Sequence, residues 1–131
     1  MSYLFFCSDA TERECLRNGL FGNSSRFWDD VKRIKVGDPV FLYNLNSGSL
    51  LGPFRASSEP MIHKDPYAFM GSGTFPAQVE VTWTKVHVIR NASKALPFLR
   101  SRLRCRLTPK ETVQVFQALH EAQFMQLSGW L

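Results

Sequence analysis

The chain has 131 residues, of which 44% are hydrophobic and 13% aromatic, and its formal net charge is +5. This balance predicts one globular domain, residues 1–131, and excludes a disordered chain. No apolar run approaches the roughly 20 residues of a membrane helix, and Tyr3–Cys7 lacks the basic flank of a signal peptide, so we expect a cytoplasmic protein without a membrane partner. Its three cysteines have no CxxC spacing, which favours reduced thiols over a disulfide framework or zinc site.

The first third of the chain predicts one strand and two helices. Tyr3–Cys7 is an apolar run typical of a buried strand. A short helix is expected from Asp9, because Glu12 completes a capping-box pattern and Gly19 stands where a C-terminal glycine belongs. A second helix is predicted from the spacing of one apolar face, formed by Phe27, Trp28, Val31 and Ile34.

The stretch Pro39–Phe54 predicts a central β-hairpin. Two apolar runs flank Asn46-Ser47-Gly48, which supplies turn chemistry. Both faces of the first run are apolar, so we expect that strand to be covered on both sides. Gly52 and Pro53 interrupt the second run, which indicates a bulge or bend of the kind found at barrel corners.

The second half of the chain predicts a long loop, a strand and a helix. Ala56–Thr74 is rich in Pro, Gly and Ser and is expected to be irregular, and loops of this length are more often functional than idle. Phe75–Ile89 alternates polar and apolar residues as a strand does. A helix begins at Thr108, with Pro109 at its first position and Glu111 at its third. Its predicted inner face is Val113, Phe116 and Leu119, with His120 as a further candidate.

Half of the 16 basic residues fall between Glu80 and Glu111, a segment without a single acid. If this segment is extended, four arginines share one strand face: Arg100, Arg102, Arg104 and Arg106. Such a row suits successive phosphates, because each guanidinium can bind a phosphate through two hydrogen bonds. We predict phosphate binding here. The alternative is a solvated strand face, or a sheet edge protected by its charge.

Four short patterns occur in a characteristic order: Phe21-Gly22, Phe41-Leu42, Pro76-Ala77-Gln78-Val79 and Leu96-Pro97. In this order they resemble the DCD (development and cell death) domain, with its FGLP-, LFL-, PAQV- and PL-like elements, over nearly the whole chain. Asn23-Ser24 stand where the first element usually carries Leu-Pro. The order of elements is also similar to the PUA-like superfamily, which includes YTH and EVE domains. The expected fold class is therefore α+β, a PUA-like small β-barrel of about five to six strands flanked by about three helices.

The resemblance implies an aromatic pocket for a base, since several PUA-like domains bind modified bases of RNA or DNA in one. In YTH-like relatives the regions after the first strand and in the loop after the hairpin build it. The predicted pocket residues are Ser8, Asp9, Phe21, Gly22, Asn23, Tyr67, Phe69 and Phe75. The rings of Phe21, Tyr67 and Phe69 would stack on the base. Asp9 would accept from an exocyclic amine, and either Ser8 or Asn23 would contact another edge atom. The alternatives are a helix cap for Asp9, a core position for Phe21 and a loop anchor for Tyr67 and Phe69.

The protein is predicted to be a non-catalytic nucleic-acid-binding module, and no cofactor is predicted. A finer prediction is that it reads a modified or flipped base. A protein interaction or recruitment module in stress or cell-death signalling is the alternative. The histidines are scattered without metal-ligand spacing, so no metal site is predicted. A third possibility, a small-molecule enzyme, requires an acid–base partner for Asp9, and the sequence offers no obvious one. The expected partner is DNA or RNA, with a protein as the alternative.

Overall fold

A computed structural model describes residues 1–69, 74–101 and 103–125. The α+β class is confirmed, because one sheet of nine strands combines with four α-helices and two 3₁₀ turns in these ranges. The strands are β1 Ser2–Cys7, β2 Leu20–Asn23, β3 Pro39–Asn44, β4 Leu50–Ala56, β5 Met61–Ile62, β6 Ala77–Thr82, β7 Val86–Ile89, β8 Arg106–Leu107 and β9 Gln123–Met125. The α-helices are α1 Asp9–Asn18, α2 Trp28–Val31, α3 Ala92–Ala95 and α4 Pro109–Glu121. The 3₁₀ turns are Ser25–Phe27 and Pro97–Arg100.

The sheet is open, so the prediction of a closed small barrel of five to six strands with three helices is wrong. Its main strands lie in the order β2-β6-β4-β3-β1-β8, while β5 pairs with β6, and β7 joins β4 to β9. In the described part of the chain, β2 and β8 end this path without pairing with each other. The physical reason is that β8 is only two residues long and covers a short part of the β1 edge.

The buried side chain of Asn23 connects β2, at one end of the open sheet, to β1, the strand next to the other end. Its Nδ2 donates to the carbonyl oxygen of Leu4 at 3.1 Å, and its Oδ1 accepts from the N–H of Phe6 at 3.1 Å. Further along the same edge of β1, the N–H of Leu4 donates to the carbonyl oxygen of Cys105 at 2.6 Å. One carboxamide therefore satisfies backbone groups that a neighbouring strand would otherwise satisfy. We call this meeting of β2, β1 and β8 the seam.

The predicted hairpin is present and forms the centre of the sheet. Strand β3 pairs in parallel with β1 and antiparallel with β4, so it has a strand on each side. Val40 and Leu42 point into the core that α1 and α2 cover, whereas Phe41 and Tyr43 point into the core under α3 and α4. The register shift between β3 and β4 confirms the predicted bulge at Gly52-Pro53, whose peptide bond is cis.

Helix α1 begins at Asp9 as predicted, and Ser8 is its N-cap. The capping box closes on Thr11 and not on Glu12, since the N–H of Ser8 donates to Thr11 Oγ1 at 3.0 Å. The helix ends at Gly19 in the left-handed conformation, as predicted. The second predicted helix is shorter than expected, since α2 has four residues and the 3₁₀ turn Ser25–Phe27 precedes it.

Three predictions for the second half of the chain require correction. The segment Phe75–Ile89 forms two strands, because Trp83–Lys85 breaks the run between β6 and β7. The predicted loop Ala56–Thr74 contains the short strand β5. The inner face of α4 carries Val115 and Leu119, whereas Val113 is 56% exposed.

We predict that Asn23→Ala lowers the free energy of unfolding by about 2 kcal/mol or more, because it leaves two buried backbone groups of β1 without a partner. Urea unfolding followed by circular dichroism measures the change. Asn18→Ala, at an exposed asparagine, is the matched control and should stay within about 0.5 kcal/mol of the wild type. Equal losses in the two variants would contradict the bridging role of Asn23.

Candidate functional site

A basic cleft of about 370 Å³ lies at the seam. One wall is the 3₁₀ turn and the start of α2, and the other is the segment that enters β8. The lining side chains are Arg26, Phe27, Asp30, Leu103, Arg104 and Arg106. We call it the seam cleft. It places three guanidinium groups from distant parts of the sequence around one concave surface that also contains an aromatic ring.

Each arginine of the seam cleft has an identifiable neighbour. The guanidinium of Arg26 lies over the ring of Phe27, 4.6 Å from its centroid. Arg106 donates from Nε to the sulfur of Met1 at 3.3 Å. Arg104 forms an ion pair with Glu111. These contacts position the guanidinium groups, and Arg26 and Arg104 remain exposed to solvent.

The predicted arginine row is only partly present. Arg104 and Arg106 do lie together, in the seam cleft. Arg100 ends the 3₁₀ turn Pro97–Arg100 instead of standing on a strand, and Arg102 lies outside the described residues. The prediction of one extended four-arginine face is therefore wrong in its backbone, because β8 begins only at Arg106.

The carboxylate of Glu111 connects the seam cleft to α4. It accepts a hydrogen bond from the N–H of Thr108 at 2.9 Å, which caps the helix, and it pairs with Arg104. Burial raises the pKa of Glu111, but the hydrogen bonds from Arg104 and Thr108 outweigh this and lower the pKa below its ordinary value. The sequence reasoning missed this pairing because Glu111 lies just outside the acid-free segment.

The second part of the predicted site, the loop after β5, packs against β2. The ring of Phe69 is 2% exposed and meets the ring of Phe75 edge-on, with centroids 5.6 Å apart. A Cβ at Gly22 would lie 2.7 Å from the Phe75 carbonyl oxygen and 2.9 Å from the Phe69 ring, so a glycine is required there. The N–H of Phe69 donates to the carboxylate of Glu14 on α1 at 2.7 Å. Gly22, Phe69 and Phe75 are thus brought together.

Gln78 holds both ends of this loop. Its side chain is almost fully buried, and its Oε1 accepts from the N–H of Asp65 at 2.8 Å. Its Nε2 donates to the carbonyl oxygens of Asp65 and Phe75, each at 3.2 Å. In the sequence, Gln78 is marked only by the motif Pro76-Ala77-Gln78-Val79, and the structure shows that its side chain positions the loop after β5.

Apart from Tyr67, which lies in the same loop as Phe69, the remaining predicted pocket residues lie elsewhere. Phe21 is fully buried and packs against Phe5 and Phe54, so its ring is in the core and has no open face. The Asn23 side chain is occupied at the seam. Asp9 accepts from Asn44 Nδ2 at 3.0 Å, next to its half-buried neighbour Ser8. The ring of Tyr67 is 76% exposed.

The thiols offer no nucleophile at neutral pH. Burial is the largest cause that raises the pKa values of Cys15 and Cys105 to about 12, and it also raises the pKa of Cys7. Among the described residues, no group of His, Cys, Asp and Glu side chains is placed to hold a metal ion. None of the helices in the described ranges has the length and apolar character needed to cross a membrane.

Comparison with known families agrees with the order of motifs. The model of the development and cell death domain matches residues 1–127. The chain belongs to the development and cell death (DCD) domain family. The resemblance inferred from Phe21-Gly22, the PAQV element and the other two motifs is therefore confirmed.

Two plant proteins and two solved structures give the DCD chain its context. It is 39% identical to the B2 protein of Daucus carota and 40% identical to the DCD domain-containing protein NRP-A of Glycine max, each over 89 residues or 64% of this chain. It spans 43% and 24% of their lengths. The Mmi1 YTH domain superposes with a TM-score of 0.69 at 12% identity, over 92% of this chain and 88% of that one.

The second structure is the YTH domain of Zygosaccharomyces rouxii MRB1 in complex with N6-methyladenosine RNA. Its TM-score is 0.61 at 15% identity, over 95% of this chain and 90% of that one. At these identities the likeness shows a shared fold, which agrees with the implied relation between DCD and YTH domains.

We predict that Gln78→Glu loosens the loop after β5. A carboxylate still accepts from the N–H of Asp65, but it replaces the donor to the carbonyl oxygens of Asp65 and Phe75 with an oxygen. Cleavage by trypsin after Lys64, within this loop, should become faster by about tenfold or more, which corresponds to about 1.4 kcal/mol of local opening. Gln114→Glu on the exposed side of α4 is the matched control. An unchanged cleavage rate in Gln78→Glu would show that Gln78 does not hold the loop closed.

The lowered pKa of Glu111 predicts a pH dependence of stability. A carboxyl group whose pKa is lower in the folded chain stabilises that chain above its unfolded pKa, near 4.5, and loses this contribution as the pH falls through the folded pKa. The wild type should therefore exceed Glu111→Gln in unfolding free energy by more at pH 7 than at pH 3. Urea titrations at both pH values measure the difference. A difference independent of pH would show that the carboxylate charge of Glu111 does not stabilise the fold.

Proposed function

We propose that the DCD chain is a non-catalytic nucleic-acid-binding module that holds the backbone of a single strand in the seam cleft. The observation that carries this proposal is the convergence of Arg26, Arg104 and Arg106 around one concave surface next to Phe27. Guanidinium groups bind phosphate oxygens through paired hydrogen bonds, and neutralisation of phosphates supplies most of the non-specific affinity for nucleic acid. The ring of Phe27 supports this surface by holding Arg26 over its face, and it packs against Phe6 with ring centroids 5.4 Å apart.

Acidic neighbours moderate the charge of the seam cleft without cancelling it. Asp30 lies in the lining, and Glu111 pairs with Arg104 from outside it. A phosphate that approaches Arg104 therefore competes with Glu111 for hydrogen bonds. Arg26 is held over an aromatic ring, which leaves the N–H groups at its edge available to a phosphate. We propose that Arg26 and Arg106 make the principal phosphate contacts.

The finer proposal is that a neighbouring base is read at the loop beside Gly22. Gly22 contacts the loop after β5. Arg26 is four residues after Gly22, so the Cα atoms of Gly22 and Arg26 are at most about 14 Å apart. Tyr67, in the same loop, presents an exposed ring on which a base can stack. We propose that a base of the strand held in the seam cleft stacks on this ring.

The shared fold supports RNA as the ligand. The YTH domain of Zygosaccharomyces rouxii MRB1 was solved in complex with N6-methyladenosine RNA. We therefore propose single-stranded RNA as the backbone and a modified adenine as the base to test first. DNA is the competing ligand in the same experiment.

The experiment is a fluorescence anisotropy titration of short adenine-containing oligonucleotides at several salt concentrations. Arg26→Gln with Arg106→Gln should weaken binding of every sequence and reduce the salt slope by about 1.4, since each single-strand phosphate contact contributes about 0.7. The control removes two other exposed cations, Arg17→Gln with Arg55→Gln, which do not line the seam cleft. It should retain the wild-type affinity within about twofold.

The outcomes separate the two levels of the proposal. Absence of binding by the wild type at low salt, or an equal loss in the control, would reject the seam cleft. Tighter binding of RNA that carries N6-methyladenosine, lost in Tyr67→Ala, supports base reading. Equal affinity for methylated and unmethylated strands would reject base reading and leave the phosphate contacts.

A further inference from the structure

A second concave surface lies on the opposite layer of the fold, between α4 and the segment that links α3 to the 3₁₀ turn Pro97–Arg100. Its main cavity is about 810 Å³, and a second cavity of about 370 Å³ continues it towards β7. The two share Ala95, Ala118 and Glu121, so they adjoin along α4. We call it the α4 groove. It has no lining residue in common with the seam cleft among the residues described for the two sites.

The α4 groove presents exposed aliphatic side chains on both walls, among polar lining residues such as Gln114 and Gln117. Val113 is 56% exposed on one side, and Ala95 and Pro97 are exposed on the other. The aromatic ring of Phe116 is half-buried, and it is already engaged edge-on by Phe41, with centroids 5.5 Å apart. It therefore does not offer the open aromatic face on which a nucleic-acid base stacks.

The charges around the α4 groove favour an acidic partner. Arg90 lines its β7 end, and Lys94 precedes Ala95 on α3, both of them exposed. This wall lies wholly within the sequence segment between Glu80 and Glu111, which contains no acid. On the facing helix, Glu121 is the acid among the described lining residues, and His120 is its neighbour.

We infer that the α4 groove docks a short acidic peptide segment of a partner protein through aliphatic anchors. Leucine or valine side chains at helical spacing would cover Val113 and Ala95, while carboxylates beside them would meet Lys94 and Arg90. The inference does not depend on RNA binding at the seam cleft. It assigns the recruitment role to a surface separate from the proposed nucleic-acid site, so one domain could hold both ligands.

The test uses the full chain and synthetic fluorescein-labelled peptides that carry two leucines at i and i+4 with glutamates between and around them. Matched peptides carry lysine in place of every glutamate. Anisotropy should detect binding of the acidic peptides, and Val113→Glu and Lys94→Glu should each weaken it by about tenfold or more. Glutamate is a better helix former than valine, so Val113→Glu preserves the fold, which thermal unfolding verifies.

Val36→Glu is the matched control, because Val36 is 63% exposed and lies outside the α4 groove. It should leave peptide affinity unchanged. The inference is overturned if the acidic peptides do not bind, if the lysine peptides bind as tightly, or if Val36→Glu weakens binding as much as Val113→Glu. Sedimentation velocity that shows a wild-type dimer dissociated by Val113→Glu would make the occupant a second copy of the chain. If RNA displaces the peptide from the variant that carries both Arg26→Gln and Arg106→Gln, the occupant of the α4 groove is nucleic acid and not a peptide.

Discussion

One buried carboxamide determines how the sheet ends. Asn23 offers a donor and an acceptor to the backbone of β1, and these two hydrogen bonds replace the strand pairing that would close a barrel. On the same edge of β1, the N–H of Leu4 bonds to the carbonyl oxygen of Cys105, in the segment that leads into β8. The sheet can therefore curl without closing. Where it stays open, the chain after β2 and the chain before β8 face each other across the seam cleft.

The charge of the seam cleft follows from this topology and not from alternation along one strand. Arg26 comes from the turn after β2, whereas Arg104 and Arg106 come from the approach to β8. Glu111 caps α4 and pairs with Arg104, so the same carboxylate stabilises a helix start and holds a guanidinium at the cleft. The proposed phosphate binding would therefore be coupled to stability at this residue, because a phosphate that binds Arg104 must displace a carboxylate that also caps α4.

Features that depend on residues close together in the sequence could be predicted, whereas features that depend on tertiary contacts could not. The hairpin, both ends of α1 and the start of α4 could be predicted, since turn residues and caps act within a few positions. The inner face of α4 could be predicted only in part: Leu119 is buried as predicted, whereas Val113 is exposed. The rotation of α4 depends on distant contacts such as the 2.6 Å hydrogen bond between Ser2 and Thr112. The alternation of arginines from Arg100 to Arg106 is typical of a strand, but the backbone at Arg100 belongs to the 3₁₀ turn Pro97–Arg100. The burial of Phe21 against Phe54 depends on sheet pairing, which no local pattern reports.

Two of the family motifs act on the same loop from different strands. Gly22 leaves the space that the rings of Phe69 and Phe75 fill, and Gln78 ties the backbone at both ends of the loop. They hold Phe69 at a φ of 63°, a conformation that costs a bulky residue energy unless its surroundings impose it. The hydrogen bond from its N–H to Glu14 is part of that constraint. With Phe69 turned inwards, Tyr67 faces solvent, so these motif residues fix the direction in which the loop presents its exposed ring.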